Sequence, residues 1–339
     1  MRYIRKGAVM LFLLALTGCS KDEAGNDSGA PVPVRFEAGS PEVFKSRSLI
    51  ESESALQGAG FGVFAYYTGA TAWESAKASA TPNFMYNQQV TWDGTNSVWI
   101  YTPVKYWPND NNPADGSGAA GSQTRSYVSF FAYAPYSDMS SPPSSGVTAI
   151  SANSETGAPV LTYTWAADAD LLYASQIDRY KYDSYDANDN GRVSDVVPFI
   201  FRHALAKVVF KVRRKEDSGP AVTLNSLSIS SFYTGGTFTL GTSEWTSQSC
   251  SGDPLSICST ALSVTEYTAE TAHELGSSLM IPGSSLSYSI SYSIGGNSYE
   301  HNNKAITPLT LAKGYQYDII FTIDGDAVKV DATKFTEQW

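Results

Sequence analysis

The chain has 339 residues, with 23 Lys and Arg against 33 Asp and Glu, a formal net charge of -10, and three each of His and Cys. That acidic surplus repels a phosphate backbone and argues against a nucleic-acid partner, and so few His and Cys leave little supply for a multi-ligand zinc site. Only 17% of residues are charged while 13% are aromatic, a Tyr- and Ser-rich balance that suits β-sheet and leaves little Glu, Lys and Ala for long helices.

Residues 1–18 read as a lipoprotein signal peptide. Arg2, Arg5 and Lys6 precede an apolar run at 8–16, too short to span a bilayer as a helix. The run ends in Leu16-Thr17-Gly18-Cys19, which resembles the lipobox of bacterial lipoproteins. Cleavage before Cys19 would free it to carry lipid. Acyl chains, at about 0.8 kcal/mol per buried CH₂, would then hold the protein on the outer membrane. The alternative is an ordinary secretory peptide with an incidental cysteine. Residues 19–30 are a polar tether, in which Lys21-Asp22-Glu23 resembles the surface-export signal of Bacteroides-type lipoproteins; a plain solvated tether is the competing reading.

Beyond the tether, period-two alternation dominates. Val32, Val34 and Phe36 share one face of a first strand. Segments 62–67 and 127–133 are apolar almost throughout, as strands buried on both faces are, and a polar loop at 109–121 lies between them. Residues 199–212 read as one long strand whose apolar phase slips near Ala206, as a bulge would cause. Segment 287–294 alternates between Tyr or Ile and Ser. Segments 315–323 and 327–335 flank Asp324-Gly325-Asp326, a turn signal. Helical periodicity is nearly absent, with at most one turn at 75–79. The expectation is an all-β chain of two β-sandwich domains, 31–195 and 196–339, divided at the Asp- and Asn-rich stretch 183–195.

Most apparent chemistry dissolves on inspection. Residues 116–121 fit G-x-G-x-x-G, but a polar loop precedes them and a strand follows, where a dinucleotide site needs a strand and then a helix. The stretch Asp186, Asn188, Asn190 opens like a calcium loop, yet Val197 stands where the closing Glu belongs. Weak calcium binding at 186–195, with Asp195 adding oxygen, stays open beside the favoured reading of an acidic loop. His203 lies among apolar residues, as a hydrogen-bonded structural histidine does; His273 and His301 lack partners at metal spacing. No catalytic serine or cysteine arrangement, metal or cofactor is expected, and the chain does not read as an enzyme. Cys250 and Cys258, eight apart in a chain bound for an oxidising compartment, favour a disulfide over two free thiols. Trp73, Trp92, Trp99 and Trp107 could form a sugar-stacking platform, although core filling is the commoner use.

Several stretches together resemble the fimbrillin family. In the first half these are Gly60-Phe61-Gly62-Val63-Phe64-Ala65-Tyr66-Tyr67, Asn83-Phe84-Met85-Tyr86-Asn87, Tyr101-Thr102-Pro103-Val104-Lys105-Tyr106-Trp107-Pro108 and Val128-Ser129-Phe130-Phe131-Ala132-Tyr133-Ala134-Pro135-Tyr136. In the second they are His203-Ala204-Leu205-Ala206-Lys207-Val208 and Leu311-Ala312-Lys313-Gly314-Tyr315-Gln316-Tyr317. The acidic insert at 183–195 and the Cys250–Cys258 pair are not features of that family as a whole. The resemblance implies a lipidated subunit of surface fimbriae built from two tandem transthyretin-like β-sandwiches and supporting adhesion. It also implies partners: other fimbrial subunits, and a trypsin-like protease that cuts after a basic residue following the first strand. Arg47 is the preferred site and Lys45 the second. The strand bearing Val32, Val34 and Phe36 would then leave. A neighbour's terminal strand, bearing Val328, Val330, Ala332 and Phe335, would replace it. A surface glycan-binding lipoprotein is the competing function.

Overall fold

The computed structural model describes residues 31–39, 52–108, 126–180 and 196–338. The N-terminal half runs β1 (Arg35–Gly39), α1 (Glu53–Ala59), β2 (Phe61–Gly69), the single turn α2 (Trp73–Ala76), β3 (Met85–Asp93), β4 (Val98–Ile100), β5 (Tyr127–Ala134), β6 (Gly146–Ile150), β7 (Val160–Thr164), β8 (Leu172–Arg179), β9 (Val196–Ile200) and β10 (Arg202–His203). The C-terminal half continues with β11 (Ala206–Arg214), β12 (Val222–Ser230), β13 (Gly235–Thr239), β14 (Glu244–Ser249), β15 (Leu255–Cys258), β16 (Leu262–Val264), β17 (His273–Met280), β18 (Ser287–Ile294), β19 (Asn297–Ala305), β20 (Tyr315–Asp324) and β21 (Ala327–Gln338). The protein is all-β. The expected turn at 75–79 forms slightly earlier, as α2, while α1 has no counterpart in the sequence reading. Ser52 caps α1 by accepting from the Ala55 N–H at 3.1 Å, and Gly60, at a φ of 61°, ends it after seven residues.

A six-stranded sheet ordered β10-β8-β5-β2-β3-β4 forms the centre of the first half. Its middle strands β2 and β5 are covered on both faces. Val63, Ala65, Phe130 and Ala132 enter one cluster; Phe64, Tyr66, Phe131 and Tyr133 enter another. Double burial is why these two segments read as unbroken apolar runs. Gly62 lies in β2 where a Cβ would stand 2.3 Å from Tyr133 Cε1 and 2.8 Å from Asn87 Oδ1. Tyr133 cannot step aside freely, because it is fully buried and its hydroxyl donates to Asn87 Oδ1 at 2.8 Å. Gly62→Ala should therefore destabilise the fold by about 2–3 kcal/mol. Urea unfolding should show a lower midpoint at an unchanged slope.

The second half packs the sheet β17-β11-β20-β21 against β15-β12-β18-β19. Val208, Phe210 and Val212 of β11 meet Leu224, Leu227 and Ile229 of β12 in the core between them. Strand β18 shows the expected alternation, with Tyr288, Ile290 and Tyr292 buried and its serines partly exposed.

The stretch 199–212 is not one strand. It is β9, β10 and β11, shared among three sheets. Ala204 and Leu205, both fully buried, carry the chain across, with the Ala204 N–H donating to Leu171 O at 2.8 Å. The phase slip near Ala206 marks this crossing, and the actual irregularity in β11 comes later, between Phe210 and Lys211. Packing consequently divides near residues 204–205 and not between 195 and 196, since β9 pairs with β1 and β10 with β8. The hairpin β13–β14 then returns to the first half and joins β7 and β6 in a four-stranded sheet. Indole donors fasten this junction. Trp245 Nε1 donates to Ala204 O and Trp165 Nε1 to Leu279 O, each at 2.7 Å.

Candidate functional site

Strand β1 is held by bonds to two segments far away in sequence. It runs parallel to β9, with Arg35 opposite Val196, Phe36 opposite Val197 and Gly39 opposite Ile200. Ahead of β1 the chain pairs antiparallel with residues 105–107, the Val34 N–H donating to Lys105 O at 2.9 Å and the Trp107 N–H to Val32 O at 2.8 Å. The inward face is the expected one. Val34 and Phe36 are buried, and Val32 is half-buried against the same cluster.

Phe36 is the anchor of this strand. Its ring lies 5.3 Å from Tyr101, 5.6 Å from Phe199 in a stacked arrangement, 6.0 Å from Phe130 and 6.2 Å from Phe61, the last two edge-on. Tyr101 closes the side of the seat. Its hydroxyl donates to Val34 O at 2.9 Å and accepts from the Lys105 N–H at 3.2 Å. Burial raises the Tyr101 phenol above its ordinary value, outweighing the lowering effect of the Lys105 N–H, so it serves as a neutral donor. Sequence reading missed Phe199, Tyr101 and Trp107 as walls of the seat, since nothing local shows which segments border β1.

Beside β1 opens a groove of about 980 Å³, bounded by β1 and β9 on one side and by β4 on the other. Its rim is apolar and open. Val98, Ile100, Val104 and Ile200 all line it and are between 46% and 57% exposed, an unusual concentration of bare aliphatic surface. Trp92 and Trp99 also line it, 5.3 Å apart at 67°. Such a T-shaped pair presents no flat platform for a sugar ring, and Trp73 and Trp107 are buried in the core.

The terminal strand β21 pairs antiparallel with β20 within the same chain, from Asp324 opposite Ala327 to Tyr315 opposite Gln338. It is the outermost strand of its sheet. Val328 and Val330 are half-buried against the C-terminal core, whereas Ala332 and Phe335 are exposed. The alternation anticipated for Val328, Val330 and Ala332 therefore buries only its first two members here.

The other anticipated residues fall as follows. Cys19, Lys45 and Arg47 lie outside the described residues, as do the glycine-rich loop at 116–121 and the acidic stretch at 186–195. Cys250 and Cys258 are free thiols, not a disulfide. Cys258 ends β15, in register with Leu227 of β12, and its Sγ donates to Thr260 O at 3.2 Å; Cys250 follows β14, in a different sheet. His203 is the structural histidine expected, buried with Nδ1 3.2 Å from Asp170. The landmarks around His203 and Lys313 meet at the junction of the halves. The Gly314 N–H donates to Leu205 O at 2.7 Å, and Lys313 Nζ lies over the rings of Tyr173 and Phe238 at 5.6 and 6.0 Å.

The chain is all-β, with a first strand paired to a segment far away in sequence and a last strand at the edge of its sheet. The fimbrillin-like family model matches residues 121–339, and the chain belongs to that family. A fimbrium subunit, Fim1C of Phocaeicola vulgatus, is 31% identical over 159 residues, which is 46% of this chain and 37% of that protein. The chain thus matches well under half the length of this curated relative. The crystal structure of a fimbrial protein from Bacteroides vulgatus superposes with a TM-score of 0.68 at 21% identity, covering 91% of this chain and 99% of that one, and shares its fold.

Proposed function

We propose that the chain is a structural subunit of a cell-surface fimbria, lipidated at Cys19 as an outer-membrane precursor and joined to neighbouring subunits by strand exchange. On this reading it comprises two transthyretin-like sandwiches and is not an enzyme. A trypsin-like protease cuts after Arg47, or after Lys45, between β1 and α1. The cut turns β1 from a tethered strand into a separate peptide, which no longer rebinds at high effective concentration. A neighbour's terminal strand then takes the place of β1, main-chain bonds giving affinity and alternate apolar side chains giving register.

The observation that carries this reading is the construction of the β1 seat. Backbone on both edges and an aromatic cage receive a strand that pairs with β9 and with residues 105–107, so its removal opens the edge of β9 and leaves the six-stranded sheet as it is. The bare edge and open cage would then favour a replacement strongly, at about 0.5–1.5 kcal/mol net per main-chain bond plus roughly 1.5–3 kcal/mol for each large apolar side chain. The test uses a Lys45→Ala, Arg47→Ala double variant beside the parent chain. After limited trypsin treatment the parent should form polymers in size-exclusion chromatography, and the double variant should remain a folded monomer. Polymers from the double variant would refute cleavage there as the trigger.

A further inference from the structure

Tyr101 holds the first strand through that strand's backbone as well as through ring contact. Its hydroxyl donates to Val34 O at 2.9 Å and accepts from the Lys105 N–H at 3.2 Å. The Val34 N–H donates to Lys105 O at 2.9 Å, so both main-chain groups of Val34 are met by residues of the segment 101–105. We infer that Tyr101 is the positioning residue of the seat, a fixed lock whose hydroxyl grips the main chain of whichever strand lies there and sets how long that strand stays. The inference rests on the strand-exchange reading above and adds the residue that regulates release.

Three features support the assignment. The lock stays when its first occupant goes. Tyr101 directly follows β4, and Lys45 and Arg47 both lie between it and β1 in sequence, so a cut at either leaves Tyr101 in the body of the subunit. Second, the grip is indifferent to side chains. The ring contact with Phe36, at 5.3 Å, depends on the size and shape of that one residue. The hydroxyl bond needs only a carbonyl, which every residue of any strand supplies.

Third, the polar groups that departure strips bare can satisfy each other. Loss of Val34 takes the acceptor from Tyr101 and the donor from Lys105 O in one step. These two groups already lie 3.3 Å apart. The hydroxyl hydrogen therefore turns from one carbonyl to the other, and the emptied seat holds no orphaned polar group at this point. An arriving strand reverses the turn, because its N–H competes for Lys105 O and its carbonyl for the hydroxyl.

Tyr101→Phe tests the lock, since it removes the hydroxyl and keeps the ring. Two rates are compared between parent and variant: loss of the cut first strand from the trypsin-treated chain, followed by mass spectrometry, and dissociation of the assembled polymer after dilution. Both should rise by about tenfold, the effect of losing one such hydrogen bond. A rise in the first rate alone would mean that the hydroxyl serves β1 only. No rise in either would mean that Tyr101 props its own segment, a role that lowers the unfolding temperature of every state and leaves release unmoved. Either result overturns the inference. Phe36→Ala is the control, expected to speed loss of the first strand and leave polymer dissociation unchanged. If the trypsin-treated parent neither loses its first strand nor polymerises, the exchange reading itself fails and takes the lock with it. Exchange at equal rates in parent and variant sinks the lock alone.

Discussion

Phe36→Ala should cost the uncleaved chain about 3–5 kcal/mol and leave the stability of the assembled polymer unchanged. The first half follows from packing. The ring is 4% exposed among four aromatic side chains. Backbone bonds of β1 to β9 and to residues 105–107 prevent the site from collapsing easily around the gap. The second half follows from exchange. If β1 is absent from the mature subunit, Phe36 is absent with it, and truncating its side chain cannot affect the polymer. Thermal unfolding of precursor and polymer, each with and without the substitution, separates the two. Equal destabilisation of both would mean that β1 stays in its seat.

Deletion of residues 327–339 should abolish polymer formation while leaving a folded chain that is still cleaved. β21 is a peripheral strand whose Val328 and Val330 are only half-buried, and beneath it Ile319 and Phe321 remain covered by the opposing sheet of the C-terminal core. Loss of β21 should lower stability by a few kcal/mol, far less than loss of a central strand. The effect on assembly is all-or-none, because the deleted segment is the proposed donor. Size-exclusion chromatography after limited proteolysis should show only monomers. Polymers from the deleted chain would place the donor elsewhere.

Local pattern made much of this fold legible. The alternation of Tyr288, Ile290 and Tyr292 fixed both the extent and the inward face of β18, since a strand with one solvated face writes its pleat into the sequence. The Asp324-Gly325-Asp326 turn set the β20–β21 hairpin for the same kind of reason, with Gly325 at a φ of 58°. Non-local pairing stayed hidden. The parallel partnership of β1 with β9 joins residues some 160 positions apart, and no local signal announces it. The run from Phe199 to Val212 looked continuous because each part carries buried apolar side chains, although they are buried in different sheets. The cysteine pair misled for a related reason. Eight residues of separation suggest proximity, whereas Cys250 and Cys258 flank a passage between sheets. The candidate site was half visible: Val34 and Phe36 announced themselves by alternation, but the cage that receives them could be seen only once Tyr101, Phe130 and Phe199 were brought together.

The central claim is that β1 leaves and a neighbour's strand replaces it. The most direct measurement is N-terminal sequencing, with intact mass determination, of the subunits in purified polymers. Subunits that begin at Ser48, or at Ser46 if Lys45 is the site, and lack residues 31–39 would bear out the account. Polymers whose subunits retain Val34 and Phe36 would contradict it.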